Sequence, residues 1–241
     1  VRNKNWAWTS VINGSHVKDR IKQISDKLKN TAYQLEEDNP LKLRFREGGS
    51  QYDIYAVRSA GIDPATGQEI FINKNGEYTF KYEVVVGNTQ PKLQGTWLNT
   101  LRYKGWSLNF VFSYTFGGDT YNKTLWEKVE DIDPRYNVDE RAFTDRWKNP
   151  GDLSRYLAIK ERRSTTPHNS ERFVERLNEL WLSSATLTYE FQPKFLKRLG
   201  FKRLAVGVGV SDIVRFSTVK YERGTSYPYC RTINLTFRPT F

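Results

Sequence analysis

The segment Trp106 to Phe116 constrains this chain more than any other. Trp106, Leu108, Phe110, Phe112, Tyr114 and Phe116 fall on one face, and Ser107, Asn109, Val111, Ser113 and Thr115 on the other. Strict period two defines a β-strand. A soluble antiparallel sheet also alternates, so the period alone does not select a membrane. Two further features do. The apolar face is bulky and has aromatics at both ends, as in interfacial girdles, and the opposite face is small and polar, which suits a wet lumen.

The pattern recurs. Leu93, Gly95, Trp97, Leu101 and Tyr103 alternate with Gln94, Thr96, Thr100 and Arg102, and only Asn99 breaks the apolar face. Lys104-Gly105 is a tight turn joining this strand to the next. Trp181, Ala185, Leu187, Tyr189 and Phe191 alternate with Ser184, Thr186, Thr188 and Glu190. Leu204, Val206, Val208 and Val210 alternate with Ala205, Gly207, Gly209 and Ser211. Ile233, Leu235, Phe237 and Phe241 alternate with Thr232, Asn234, Thr236, Arg238 and Thr240. Weaker patterns at Trp6 to Ser15 and Gln51 to Ala60 bring the candidate strands to seven.

The links alternate in length. Those at 104–105 and 192–203 are short; those at 61–90, 117–172 and 212–230 are long. Outer-membrane barrels have short periplasmic turns and long extracellular loops. The expected fold is therefore all-β, a transmembrane antiparallel β-barrel. The whole chain is one portion of that barrel, with 117–172 as a long extracellular loop. Ser107, Asn109, Thr186, Thr188, Glu190, Asn234, Thr236 and Arg238 would line its lumen. One link fits badly: by parity 16–50 is periplasmic, yet it is long, and Val17 to Leu28 carries a sparse helical pattern. Seven strands cannot close a barrel, because open edges in lipid leave backbone groups unpaired. The missing strands must come from the rest of the polypeptide or another chain. The lack of Met and the start at Val1 in mid-pattern suit the tail of a longer chain.

Composition removes other classes. With one cysteine, Cys230, there is no intrachain disulfide framework and no thiolate zinc cluster. His16 and His168 are far apart, so metal or His-based catalysis has little footing; no enzyme, metal or cofactor is expected. The net charge of +11 invites a nucleic-acid reading. However, Lys194, Lys197, Arg198, Lys202 and Arg203 cluster at a strand end, and the aromatics face the presumed lipid, so headgroup anchoring is the simpler account. Asp63-Pro-Ala-Thr-Gly67 reads as a turn capped by Asp63. Asp131, Asp133 and Asp139 lack calcium-loop spacing. Gly207-Val-Gly209 lacks the third Gly and the helix of a dinucleotide site.

Longer motifs then carry a family resemblance. They are Ala60-Gly-Ile-Asp-Pro-Ala-Thr-Gly-Gln-Glu-Ile-Phe71, Gly87-Asn-Thr-Gln-Pro91, Tyr103-Lys-Gly-Trp-Ser-Leu108 and Phe112-Ser-Tyr-Thr-Phe-Gly-Gly-Asp-Thr-Tyr-Asn122. Further along come Asn137-Val-Asp-Glu-Arg-Ala142, Arg146-Trp-Lys-Asn-Pro-Gly-Asp152, Arg172-Phe-Val-Glu175, Leu187 to Pro193, Gly224-Thr-Ser-Tyr-Pro228 and Arg231-Thr232. In this order they resemble the C-terminal part of SusC/RagA-type TonB-dependent outer-membrane transporters of Bacteroidota. Gly95-Thr96 departs from that family's usual Gly pair.

The resemblance implies a 22-stranded barrel with a plugged lumen, of which this chain holds the last seven strands. It implies import of an oligosaccharide or peptide, energised through TonB and capped by a SusD-like lipoprotein. Plug and TonB box lie outside this chain. Phe241, with Leu235 and Phe237, becomes the terminal signal for barrel assembly. Tyr121, Trp126, Tyr136, Trp147 and Tyr156 become candidates for contact with substrate or lid. A loop of this length also needs a core of its own, and these rings would build one. Over 117–172 there are 11 acidic and 11 basic residues, which suits a salt-bridged surface rather than a charge funnel. Two alternatives stand beside import: a SusC-like barrel serving as a scaffold for assembly or secretion, and a soluble all-β binding module.

Overall fold

The computed structural model describes residues 3, 5–26, 45–72, 75–77, 83–133, 135–159, 169–192, 196, 200–220 and 231–241. Cys230, His168, Leu28, Lys194, Lys197, Arg198 and the 224–228 motif lie outside them.

Six strands form one antiparallel sheet in the order β1-β6-β7-β8-β9-β10. They are β1 (Trp6–Ser15), β6 (Leu93–Tyr103), β7 (Trp106–Tyr121), β8 (Val174–Glu190), β9 (Arg203–Ser217) and β10 (Thr232–Thr240). Two small sheets pair β2 (Asp53–Val57) with β5 (Glu83–Asn88), and β3 (Ser59–Ile62) with β4 (Glu69–Phe71). A tilted strand needs roughly 9–11 residues to cross a bilayer; β1, β6 and β10, of 10, 11 and 9 residues, reach that length, and β7, β8 and β9, of 16, 17 and 15, exceed it. Lys104 and Gly105 both have positive φ (44° and 95°), the two-residue turn whose twist matches the flanking strands.

Among the described residues the wall holds six strands, not the seven expected. Gln51 to Ala60 was the expected seventh, but it divides between β2 and β3. Five residues, with Ile54, Ala56 and Val57 all buried, are too short to cross and are used up in packing. This correction removes the badly placed link. β1 pairs directly with β6 from Trp6↔Tyr103 to Ser15↔Gln94. β1 then ends, and β6 begins, on the side of the other long links. Nor does Val17 to Ser25 form a helix. Its backbone is engaged elsewhere: Ile21 N donates to Gly49 O (2.8 Å), and Gly48 N donates to Ile21 O (2.8 Å).

On the apolar face, Trp6, Tyr103, Trp106, Tyr189, Val206 and Phe237 lie abreast at the short-link end. Trp106 and Tyr189 have ring centroids 4.6 Å apart. Ten residues separate Trp106 from Phe116. At about 3.3 Å per residue and a tilt near 40°, they span about 25 Å, the height of the apolar band on outer-membrane barrels. Asn99 interrupts that face but is buried at 2% exposure, and its Oδ1 accepts from Trp8 Nε1 (3.2 Å).

A second body of structure sits beyond the sheet's long-link end. Ile54, Tyr121, Leu125, Val129, Ile132, Ala142, Tyr156 and Phe173 form a core there, with Val86, Trp126, Val138 and Val174 packed on it. The helical turns Lys123–Leu125, Trp126–Glu130 and Arg141–Thr144 supply part of it.

Candidate functional site

The polar face of the sheet is ordered in rows. Thr9, Thr100, Asn109, Thr186, Gly209 and Asn234 lie side by side across all six strands, and Ala7, Arg102, Ser107, Thr188, Gly207 and Thr236 form the next row. The eight residues expected to share a face therefore do so, with Glu190 and Arg238 beside Ala205 nearer the short links. Thr100 Oγ1 donates to Asn109 Oδ1 (2.8 Å). A Cβ on Gly207 would lie 3.0 Å from Thr188 Oγ1, so the glycine clears room for that hydroxyl. Glu190 accepts from Arg203 Nε (3.0 Å) and Nη2 (2.8 Å), an exposed pair of small energetic weight.

One residue changes face. Val111 pairs with Ser184 and Phe112 with Leu182, which leaves Ser183 as a bulge. An extra residue inverts the alternation beyond it. Leu182 and Leu180 join the apolar face, and Trp181, expected there with Ala185 and Leu187, lies opposite Ser113 on the polar one. Arg215 stacks over the Trp181 ring (4.5 Å), and its Nε lies 2.8 Å from Glu179 Oε1. Period-two counting missed this Arg–Trp–Glu group. The signal available was the adjacent Ser183-Ser184, which breaks the count.

The five aromatics of the long loop separate by burial. Tyr121 (9% exposed), Trp147 (7%) and Tyr156 (1%) are inside, and Trp126 packs on the same core. As contact candidates Tyr121, Trp147 and Tyr156 are corrected: their rings are buried within the loop layer, because a segment this long must bury apolar surface somewhere, whereas Trp126 is only half-buried. Tyr136, at 72% exposure, remains available for contact. Leu235, Phe237 and Phe241 are exposed along the last strand, and Phe241 meets Phe201 at 5.0 Å.

Two sequence motifs meet in this layer. Asp63 Oδ1 accepts from Ala65 N (2.9 Å) and Oδ2 from Thr66 Oγ1 (2.7 Å), so Asp63 caps its turn, as expected. Gly67, at φ 75°, lies against the Trp147 ring, where a Cβ would be 2.5 Å from two ring carbons. Trp147 Nε1 donates to Pro64 O (2.8 Å).

A buried ion group locks the layer together. Arg172 Nη2 donates to Glu69 Oε2 (2.8 Å) and Glu130 Oε1 (2.7 Å), and Ser170 Oγ donates to Glu69. Arg146 donates to the carbonyls of Ala142 (2.8 Å), Leu157 (3.0 Å), Val129 (2.6 Å) and Glu130 (2.6 Å). Burial pushes the Glu130 carboxyl above its ordinary range, and Arg172 pulls against that. Burial opposes the Arg172 charge, yet two carboxylates outweigh it and hold its pKa above the ordinary value. Among the described residues, no group of three or more His, Cys, Asp or Glu is placed to hold a metal.

No family model matches the chain. It is similar to the TonB-dependent receptor P39 of Formosa agariphila, 22% identical over 262 residues, covering 90% of this chain and 25% of the relative. It is also similar to the TonB-dependent receptor P3 of the same organism, 25% identical over 173 residues, covering 71% of this chain and 16% of that one. The chain thus spans a quarter or less of these relatives' length. Among solved structures, the RagAB peptide importer in its open-open state aligns with a TM-score of 0.69 at 17% identity, over 91% of this chain and 24% of that one. The closed-closed state aligns at 0.68 and 17%, over 92% and 25%. These relatives are named as receptors and an importer, not as enzymes. An apolar band about 25 Å high, a sequence similar to TonB-dependent receptors and a fold similar to RagAB together support a SusC/RagA-like TonB-dependent receptor fragment and an outer-membrane location.

Proposed function

We propose that this chain forms a wall sector of a TonB-dependent importer of oligosaccharides or peptides. Its polar face lines the lumen, its loop layer is extracellular, and a SusD-like lipoprotein caps it. TonB engages the protein through parts outside this chain. The observation that carries the reading is the two-sided sheet: an apolar band against two rows made mostly of Thr, Ser, Asn and Gly, in which Arg102 is the one charge. Such rows offer water and solute exchangeable hydrogen bonds and no deep electrostatic trap, which suits passage. Tyr136 is the exposed ring available to solute or lid. The terminal Leu235, Phe237 and Phe241 serve as the assembly signal. The test is growth of the source bacterium on defined oligosaccharides and peptides as sole nutrient, with the full-length gene deleted or its TonB box removed. Both changes should abolish growth on the same nutrient class. Unchanged growth, together with co-purification with secretion or assembly subunits, would establish the scaffold instead.

A further inference from the structure

At the long-link end, the tips of β1, β6, β7 and β8 and the turn before β2 line a half-open cavity of about 720 Å³. Its lining holds five cationic side chains, Lys18, Arg20, Arg46, Lys92 and Arg176, against three carboxylates, Asp19, Asp53 and Asp119.

The carboxylates are already committed, mostly to uncharged donors. Asp19 accepts from Ser50 Oγ (2.6 Å) and Gln51 N (2.8 Å). Asp53 accepts from Ser50 N (2.9 Å) and Asn88 Nδ2 (2.9 Å). Asp119 accepts from Asn88 N (3.0 Å) and from Arg176 Nη1 (3.2 Å). They tie the walls of the cavity together. Lys18, Arg20 and Lys92 are left without an ion pair among the described residues. His16 Nδ1 donates to Lys92 O (2.6 Å), which fixes the ring at the β1–β6 rim.

A cleft with cations in excess focuses positive potential, and the size lies in the range of small-ligand sites. Arginine and lysine side by side provide a fork and a point charge for oxyanions. We propose that this rim cavity binds an oxyanion, a carboxylate, phosphate or sulfate group, carried by the solute the barrel handles. The carrier's identity rests on the import reading; the site itself does not. Lipid phosphates share this chemistry, so the test must separate the two sources.

The full-length protein in detergent is acetylated with an amine-reactive ester, and each lysine is followed by mass spectrometry. Chloride is replaced by sulfate at constant ionic strength. Sulfate should slow Lys18 and Lys92 at least fivefold and leave the exposed Lys148 unchanged. Arg20→Gln should raise the sulfate needed for half protection about tenfold. Equal labelling with and without sulfate overturns the proposal. So does protection by added lipid A with none by sulfate, which would make the cavity a lipid site. If sulfate protects and no solute is imported, the import reading fails and the oxyanion site stands.

Discussion

Gly67 and Trp147 lie 80 residues apart, yet neither can change alone. A side chain at Gly67 meets the indole ring at 2.5 Å, and its φ of 75° strains any other residue. Gly67→Ala should cost the loop layer about 1–3 kcal/mol from backbone strain, and Trp147→Ala about 3–5 kcal/mol from the cavity it leaves. Limited proteolysis of 122–173 in intact outer membranes reads both. Arg172→Met should cost about 3–5 kcal/mol, because Glu69 and Glu130 would stay buried without their cation. Adding Glu130→Gln should recover part of that loss, and a double-mutant cycle measures the coupling. Asp139 gives the pH dependence. Hydrogen bonds from Arg141 hold its carboxyl down at about 2, below the usual 3.8. A depressed carboxylate stabilises fully above its unfolded value and loses that contribution as pH falls through the folded one. Protease sensitivity near Asp139 should therefore rise between about pH 4 and pH 2, and Asp139→Asn should remove that step.

Among elements, β8 shows where sequence reading succeeds and where it fails. Six wall strands are legible because period two forces one face to be apolar, and a bulky face cannot be hidden in a thin wall. The bulge at Ser183 is not legible: it depends on which partner residue faces the gap, and alternation does not encode that. Counting through it put Trp181 on the wrong face. Deleting Ser183 should remove the bulge without turning a side chain over: Leu182 becomes the neighbour of Ser184, still opposite Phe112, and Trp181 stays opposite Ser113. The outcome expected is a normal heat-modifiable folded band on mild-detergent gels. Loss of that band would mean that the bulge itself is needed for the wall to fold. β2 was misread for the opposite reason. Its pattern is a real strand signal, but five residues without a polar alternate belong to a buried packing sheet.

For the molecule as a whole, the wall was more legible than the site. Local periodicity dictates the wall, so Ser107, Asn109, Thr186 and Thr188 share one face of the sheet. The loop layer depends on contacts across a hundred residues, such as Glu69 with Arg172, which no spacing rule reveals. The aromatics were visible, but whether a ring is buried is decided by what folds over it. The open edges at β1 and β10 require partner strands from outside this chain, since unpaired backbone in hydrocarbon costs several kcal/mol per group. The central claim is that this sheet separates lipid from lumen. Its most direct test is a nitroxide scan of positions 107 to 114 in the full-length protein, in outer membranes and a Cys230→Ser background. Oxygen accessibility should peak at Leu108, Phe110, Phe112 and Tyr114, and accessibility to an aqueous nickel chelate at Ser107, Asn109, Val111 and Ser113. A flat profile, or nickel access on both faces, would contradict a membrane-spanning wall.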